Sequence, residues 1–484
     1  MKESLLDLQT LLSACNGTLI GLAGDFYFDS VATDSRNVVK NTLFVPLIGE
    51  FQNGHKYIPQ AVANGASVVL VNRNEATEDF SSFASVAFIA VDNTLHALQA
   101  AAKAYAQKVA SNMIRVSITG SSGKTTTKEM LVSVCKAHFG EEAVAYTKGN
   151  FNSETGLPLS MFQIRGDEKI GIFEMGMNRK NEIDEISDVW QSQYGIITNI
   201  GNAHIGILGS RENIAIEKRK SFDYIPQSGA AFVPADDDFA DFCSQNVRGK
   251  VVRFGKSVAQ AVSGVKYIKS LGLKGTLFSV DDVEITLPLC GEYNFQNAMG
   301  VVALAKELGI PAEHIKAGLE KMTPVSGRME IKTQKLKSGI TATLVCDCYN
   351  ANPDSMEKVI KLCGQTEKTD YPQKIFVLGD MKELGEKSVQ SHKQIGRVAA
   401  ESGASLVILV GPEMKAAADE LGDKISFVYF GENNDDFYSS AASKILETAG
   451  QNALILLKGS HSMALEKIVP LVIDQNSKAE EVQN

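Results

Sequence analysis

The sequence predicts an α/β protein of three domains. These are a small α/β domain over residues 1–92, a central parallel-sheet domain over 93–326 and a Rossmann-like C-terminal domain over 327–484. Three observations carry the prediction. The chain has 484 residues, and at ~150 residues per domain that length asks for about three cores. Between Met113 and His138 a strand pattern, a glycine turn and an amphipathic helix follow one another, the opening of a βαβ unit. From Thr343 to Leu457, strand-sized apolar runs alternate with helical stretches, a second doubly wound pattern independent of the first.

In the first domain, short β-like runs at Thr42–Leu47, Ser67–Val71 and Ala87–Val91 are broken by Gly and Asn turns, with a helix expected at Ile58–Asn64. A helical stretch, Thr94–Val109, leads into the central domain. There Ile114, Val116 and Ile118 alternate with Arg115 and Ser117 as in a strand, which predicts one over Met113–Thr119. Leu131, Val134, Cys135 and His138 share one face of the helix that follows. Strands are expected at Ile170–Glu174 and Gly195–Ile200, and Val301, Leu304, Ala305 and Leu308 mark a later amphipathic helix. The third domain offers strands at Thr343–Cys346, Lys374–Leu378, Ser405–Val410, Ser426–Phe430 and Ala453–Leu457. Open α/β sheets bind ligands at the carboxyl ends of their strands, which here carry Asp347, Gly379-Asp380 and Lys458-Gly459-Ser460. Residues 475–484 are polar, aperiodic and expected to be disordered.

A net charge of −9 argues against general nucleic-acid or anionic-membrane binding, although a local basic site can still hold a phosphate. No apolar run reaches the ~18–20 residues of a membrane helix, so no membrane insertion is expected. Seven cysteines, an odd number with no CxxC pair, do not form a disulfide framework, and a reduced, cytoplasmic protein is the expectation. Leu12-Ser13-Ala14-Cys15 imitates a lipoprotein cleavage site, but Glu3, Asp7 and Gln9 break the apolar stretch that one requires.

The sharpest chemical signal is Thr119-Gly120-Ser121-Ser122-Gly123-Lys124-Thr125-Thr126, between a strand and a helix. Glycines let successive N–H groups turn inward toward a phosphate. The helix N-terminus adds partial positive charge, Lys124 adds a full one, and the Thr125 hydroxyl can bind Mg²⁺. Ile118 stands where the usual loop has its first glycine, and Gly120 lies two residues nearer the lysine. The loop alone does not separate ATPase, GTPase and kinase. Glu174 closes a strand, His204 follows another, and Lys218 lies in a basic run ending at Lys220. One carboxylate is enough to recruit a nucleotide's Mg²⁺, yet taken alone Glu174 is more often an ordinary ion-pair partner, His204 a satisfied loop histidine and Lys218–Lys220 a solvated face.

The motifs together resemble the ATP-dependent Mur ligases over nearly the whole chain. Asp34-Ser35-Arg36, Gly49 and Asn53-Gly54-His55 are similar to the region that holds the UDP-sugar end, and Gly149–Gly156 to the loop after the phosphate site. Phe173–Gly176 and Asn199–His204 resemble the two metal-side motifs, Gly291–Asn297 the adenine-contacting motif, and Pro324–Arg328 the entry to the last domain. Leu378–Gly385, His392 and Lys458–Ser460 complete the pattern. Asp347–Pro353 is the most discriminating piece: its Tyr349–Pro353 string resembles the branch that adds D-alanyl-D-alanine to UDP-MurNAc-tripeptide, and differs from the sister ligases.

The resemblance implies a UDP-binding N-terminal domain, a central P-loop ATPase domain and a C-terminal ligase domain, with ATP, Mg²⁺ and those two substrates as ligands. It implies that Gly120, Ser121, Ser122, Gly123, Lys124, Thr125 and Thr126 cradle the ATP phosphates, with Arg328 reaching them. Thr125 and Glu174 would hold one Mg²⁺, and His204 with a carbamylated Lys218 a second. Lys124, Glu174, His204 and Lys218 would thus carry catalysis. Asn294 and Asn297 would read adenine and Asp347 the ribose. Ser35 and Arg36 would meet the UDP end, while Asn152, Tyr349, Asn350, Asn352 and Asp380 would line the place where the peptides meet. A monomer is expected. Tyr293 stands where the family often has His, His461 where Arg often follows the KGS string, and Asn41 where a glycine is common. A sister ligase adding one amino acid, folylpolyglutamate synthase and a P-loop nucleotide switch stay open as alternatives. The Tyr349–Pro353 string argues against the first two, and the lack of a guanine-reading Asn-Lys-x-Asp string against a GTPase switch.

Overall fold

The structure is a computed structural model that describes residues 4–474 apart from 22–25, 77–82, 84–85, 259–263 and 432–434. The expected disordered stretch at 475–484 lies outside the described residues. Among the described residues, four sheets organise the chain. The first runs, in spatial order, Thr18–Gly21, Ala87–Val91, Ala66–Asn72, Thr42–Phe44 and Ser30–Ala32, parallel except for its first strand. Its near-continuous Val/Ile/Leu runs fit strands covered on both faces. The helix Thr94–Val109 starts on the Asn93 side chain, which caps the N–H groups of Leu95 and His96. It buries Ala97, Leu98, Ala101 and Ala102, and Tyr105 O–H donates to the Ile164 carbonyl at 2.5 Å. The helix therefore joins the first sheet to the second.

The central six-stranded sheet is wholly parallel, in the order Lys250–Phe254, Ala230–Pro234, Tyr194–Ile197, Ile114–Thr119, Ile170–Glu174 and Val144–Tyr146. Ile114–Thr119 lies in the middle, with Ile118 paired to Glu174 and Thr119 to Ile197. That register brings the glycine loop, Glu174 and the segment after Ile197 to one edge. A small antiparallel sheet, Val265–Ser270, Thr276–Val280 and Val283–Leu287, follows. The last sheet runs Glu330–Lys335, Thr341–Asp347, Ala453–Lys458, Lys374–Gly379, Leu406–Val410 and Phe427–Phe430, parallel except for its first strand.

The strand expected to reach Ile200 stops at Ile197, because the backbone of Thr198–Gly201 turns to serve the glycine loop instead. The strands at 230–234 and 250–254, the small sheet and the antiparallel edge at 330–335 were not anticipated. In Val265–Ser270 every residue after Val265 is exposed, so no alternation marks it. All seven cysteines are buried free thiols, and Cys15 closes the helix Leu8–Cys15 with its Sγ donating to the Ala97 carbonyl at 3.2 Å. Among the described residues no helix is long and apolar enough to cross a membrane.

Candidate active site

A cleft of about 370 Å³ opens where the carboxyl ends of the central and last sheets face each other. The glycine loop forms one wall. A Cβ on Gly120 would lie 1.8 Å from Thr198 Oγ1, and one on Gly123 would lie 2.7 Å from the Asn297 amide nitrogen. Gly123 also has φ +81°, a left-handed conformation that admits glycine readily. Asn199 clamps the loop: its Oδ1 accepts from Ser122 N–H at 3.1 Å and its Nδ2 donates to the Ser122 carbonyl at 2.9 Å. Thr198 Oγ1 donates to the same carbonyl at 2.6 Å. Asn199 was quoted within a motif but given no role, since nothing in spacing reveals a side chain that copies a backbone partner.

The helix Lys124–Phe139 starts immediately after Gly123. Lys124 Nζ donates to the Gly120 carbonyl at 2.9 Å. Burial pushes its amine below the ordinary lysine range, Glu174 pulls it back up, and Arg328 adds to the depression. The Thr125 hydroxyl donates to Glu174 at 2.9 Å, and Asn152 Nδ2 donates to the other oxygen of that carboxylate at 2.8 Å. Lys218, 1% exposed, lies behind this group rather than in the cleft lining. Burial, then the positive charge of Lys124, drive its amine well below its usual range. Glu174 acts on both Lys124 and Lys218, Arg328 lies within reach of Lys124, and Lys218 also faces the buried Glu217 carboxylate, so the wall gathers several cations where an anion could bind.

His204, in a left-handed conformation at φ +63°, puts Nδ1 2.7 Å from the Glu383 carboxylate but off the line of a hydrogen bond. Two further contacts tie the sheets here. Asn202 donates through N–H and Nδ2 to Asp354 at 2.8 and 3.0 Å, and Gly206 N–H donates to the Glu383 carbonyl at 2.9 Å. Neither Asp354 nor Glu383 was singled out in the sequence, because an interdomain partner leaves no local pattern.

On the facing wall the register pairs Asp347 with Lys458. Lys458 Nζ donates to Asp347 at 2.5 Å and to the Asn350 carbonyl at 3.1 Å. The Arg328 guanidinium lies 4.1 Å from the Tyr349 ring centre. Asn352 caps the helix Pro353–Gly364 by accepting from Ser355 N–H at 2.9 Å. Asn294 and Asn297, nearly buried in the helix Glu292–Glu307, line the cleft beyond the loop.

Three candidates stand elsewhere. Asp380 is fully buried and outside the cleft lining; it accepts from Met414 N–H and the Lys382 amine, both at 2.9 Å. Its strand ends beneath the next loop, so the side chain braces rather than faces ligand. Ser35 is buried and donates to Gln60 at 2.8 Å, while exposed Arg36 forks onto Asp34, with the Nη2 contact at 2.6 Å. Both lie on the first domain, outside the cleft lining.

Tyr293 carries a buried hydroxyl with no hydrogen-bond partner among the described residues. An unmatched buried donor costs roughly 1–3 kcal/mol. Tyr293→Phe is therefore expected to raise stability by about 1 kcal/mol, read as a higher melting temperature; a lower one would mean the hydroxyl has a partner.

The fold and the cleft define a class: a multidomain P-loop protein whose phosphate-type loop is faced across the cleft by the strand ends of a second parallel sheet. Family models for the Mur ligase middle domain match residues 118–305, for the Mur ligase glutamate ligase domain 327–461, and for the Mur ligase family catalytic domain 28–106. The chain belongs to the Mur ligase family. It is 38% identical to the UDP-N-acetylmuramoyl-tripeptide--D-alanyl-D-alanine ligase of Treponema pallidum, over 92% of this chain and 94% of that one. Among solved structures it is similar to MurF from Acinetobacter baumannii, with TM-score 0.83 and 29% identity over 96% of this chain and 97% of that one. The MurF ligase of Thermotoga maritima, solved in complex with ADP, shares the fold at TM-score 0.75 and 23% identity, over 91% and 96% of the two chains.

Proposed function

We propose that the protein is an ATP-dependent amide ligase that joins D-Ala-D-Ala to UDP-MurNAc-tripeptide in the making of peptidoglycan precursor. One observation carries the reading. The Lys124 amine and the Thr125–Glu174 pair, beside the glycine loop, share one cleft with the Asn350–Asn352 segment that follows a strand of the last sheet. That arrangement is what an ATP-driven condensation asks for.

A carboxylate and an amine do not condense in water unaided. The γ-phosphoryl group of ATP passes to the carboxylate of the tripeptide, ADP leaves, and an acyl phosphate forms. The D-Ala-D-Ala amine then attacks the acyl carbon, a proton is lost, and phosphate departs. Phosphoryl transfer asks the protein mainly for positioning and charge. Lys124 and the N–H groups of 120–126 cradle the phosphates and draw two anions together. Asn294 and Asn297 sit where a base is read, Asp347 where the ribose is held, and Arg328 beside the phosphates. Ser35 and Arg36 meet the UDP end, and Asn152, Tyr349, Asn350 and Asn352 flank the reacting ends.

The donor set fits Mg²⁺. Thr125 and Glu174 offer hard oxygen ligands side by side, and a nucleotide-bound Mg²⁺ keeps waters for the rest of its shell. His204, with Glu383 against it, would stand at a second ion. When bound, Mg²⁺ offsets the charge developing on the phosphoryl oxygens. A neutral lysine amine adds CO₂, releasing a proton, to give a carbamate, and the depressed amine of Lys218 supports that conversion.

The test is phosphate release with UDP-MurNAc-tripeptide, ATP and Mg²⁺. Release should depend on D-Ala-D-Ala, fail with single amino acids or glutamate, and stop on chelation of the metal. Hydrolysis indifferent to any amine would point to a nucleotide switch. Activity with glutamate or one amino acid would point to a sister enzyme.

A further inference from the structure

Lys128 lies one turn beyond Lys124 and Thr125 on the helix Lys124–Phe139 and is 1% exposed. An ammonium buried so completely is unfavourable unless its donors are matched. Its Nζ donates to the Thr147 carbonyl at 2.7 Å, pairs with the Glu129 carboxylate at 2.7 Å and lies 5.7 Å from the Tyr146 ring centre. Lys128 and Thr147 both stand outside the cleft lining, and the chemistry described so far uses neither.

We propose that Lys128 and Thr147 are positioning residues for the metal ligand Glu174, holding its carboxylate against Thr125 at the separation an octahedral ion requires. The inference rests on the ligase reading and adds to it the two residues that set the geometry of its Mg²⁺ ligands.

The contacts close a ring. Thr147, fully buried, follows the strand Val144–Tyr146, and its Oγ1 accepts from the Glu174 N–H at 2.9 Å. The Glu174 carboxylate accepts from the Thr125 hydroxyl at 2.9 Å. Thr125 and Lys128, three residues apart, share one helix face, and Lys128 returns to Thr147. All three hydrogen bonds of the ring are buried. The strand before Thr147 is the outermost of the central sheet on its side, paired only with Ile170–Glu174. Beyond that strand the Thr147 N–H still donates to the Ile172 carbonyl, at 3.2 Å. Lys128 adds the link from this sheet edge to the helix that begins with Lys124 and Thr125.

Distance gives the second argument. Mg²⁺ binds oxygen at ~2.0–2.1 Å with near-ideal octahedral angles, so two neighbouring ligands stand about 2.9 Å apart. Thr125 Oγ1 and the Glu174 oxygen that faces it are 2.9 Å apart. An ion that demands near-ideal geometry gains from ligands already held along one octahedral edge, and loses when either can swing away.

Side-chain reach gives the third. An apolar residue at 128 could fill the volume, but only a long donor spans from the helix to a carbonyl at the end of an edge strand.

The experiment compares wild type with Thr147→Val, Thr147→Ser and Lys128→Met, each saturated with ADP and at a temperature where melting curves show all four folded. Mn²⁺, which takes the same oxygen ligands as Mg²⁺, is titrated in, and the free ion is read by electron paramagnetic resonance. Thr147→Val keeps the side chain's volume and removes the acceptor of the Glu174 N–H. Removing a group that supports a metal ligand weakens metal affinity by about 10–100-fold. Thr147→Val and Lys128→Met should each weaken Mn²⁺ binding by about tenfold or more, while Thr147→Ser, which keeps the hydroxyl, should stay within about threefold of wild type. ADP affinity without metal should be unchanged, because Lys124 and the loop N–H groups are untouched. Wild-type Mn²⁺ affinity in Thr147→Val, or an equal loss in Thr147→Ser, reduces the ring to a structural brace and overturns the proposal. D-Ala-D-Ala-dependent phosphate release in wild type would then leave the ligase reading standing. Absence of that release defeats the ligase reading itself, and the proposal with it.

Discussion

Lys124→Ala is expected to lower turnover by about 10³-fold or more, with the fold intact. The reason lies in what the amine does in each state. Among the described residues its one hydrogen bond is to the Gly120 carbonyl, a single contact within the loop, so truncation costs little stability. Burial and Arg328 hold the ammonium at a disadvantage there, and only Glu174 opposes them. On the proposed reading, an arriving polyphosphate would reverse that balance and draw the lysine into full charge. As the γ-phosphoryl group moved from one anion to another, the ammonium would be the mobile cation able to follow it, while loop N–H groups stayed fixed. The loss should therefore fall on kcat as well as on KM for ATP. Phosphate release assays alongside a melting curve give the check. Wild-type turnover in a normally melting variant would remove the loop from the mechanism.

Much of this was legible in the sequence because it was local. The glycine loop announced itself through a strand before it and a helix face after it, and the helix Thr94–Val109 has the bounds its pattern predicted. The strands at Ile170–Glu174 and Ala87–Val91 matched for the same reason: compact apolar runs with turns on both sides. What could not be read was relational. Glu174 alone could have been a surface ion-pair partner; its burial against Thr125 and Asn152 comes from the register that pairs it with Ile118, far away in sequence. The pairing of Asp347 with Lys458, the clamp by Asn199 and the bracing by Asp380 are likewise products of sheet order. Asp380 shows the hazard of reading strand ends as ligand-facing, since adjacent residues at such an end point to opposite faces. The small sheet at 265–287 escaped notice because its outer strand offers no apolar alternation.

Lys458→Met is expected to destabilise the last sheet by about 3–5 kcal/mol, the usual effect of removing one partner of a buried ion pair. For a domain of this size that corresponds to a fall of roughly 6–20 °C in melting temperature. Lys458 is 1% exposed and the Asp347 side chain 14%, so solvent screens the pair weakly. The methionine would fill the volume, but Asp347 would keep its charge with, among the described residues, only the Met329 N–H, at 3.1 Å, still donating to it. The Asn350 carbonyl would lose its donor as well, loosening the Asn350–Asn352 segment that lines the cleft. Two consequences can be told apart. The double variant Lys458→Met, Asp347→Asn removes the stranded charge and should recover more than half of the lost stability. It should not recover acceptor binding, because the carbonyl at Asn350 stays unmatched. If the single variant melts like wild type, the pair is a bystander of the register between strands Thr341–Asp347 and Ala453–Lys458, and this wall of the cleft owes its shape to packing alone.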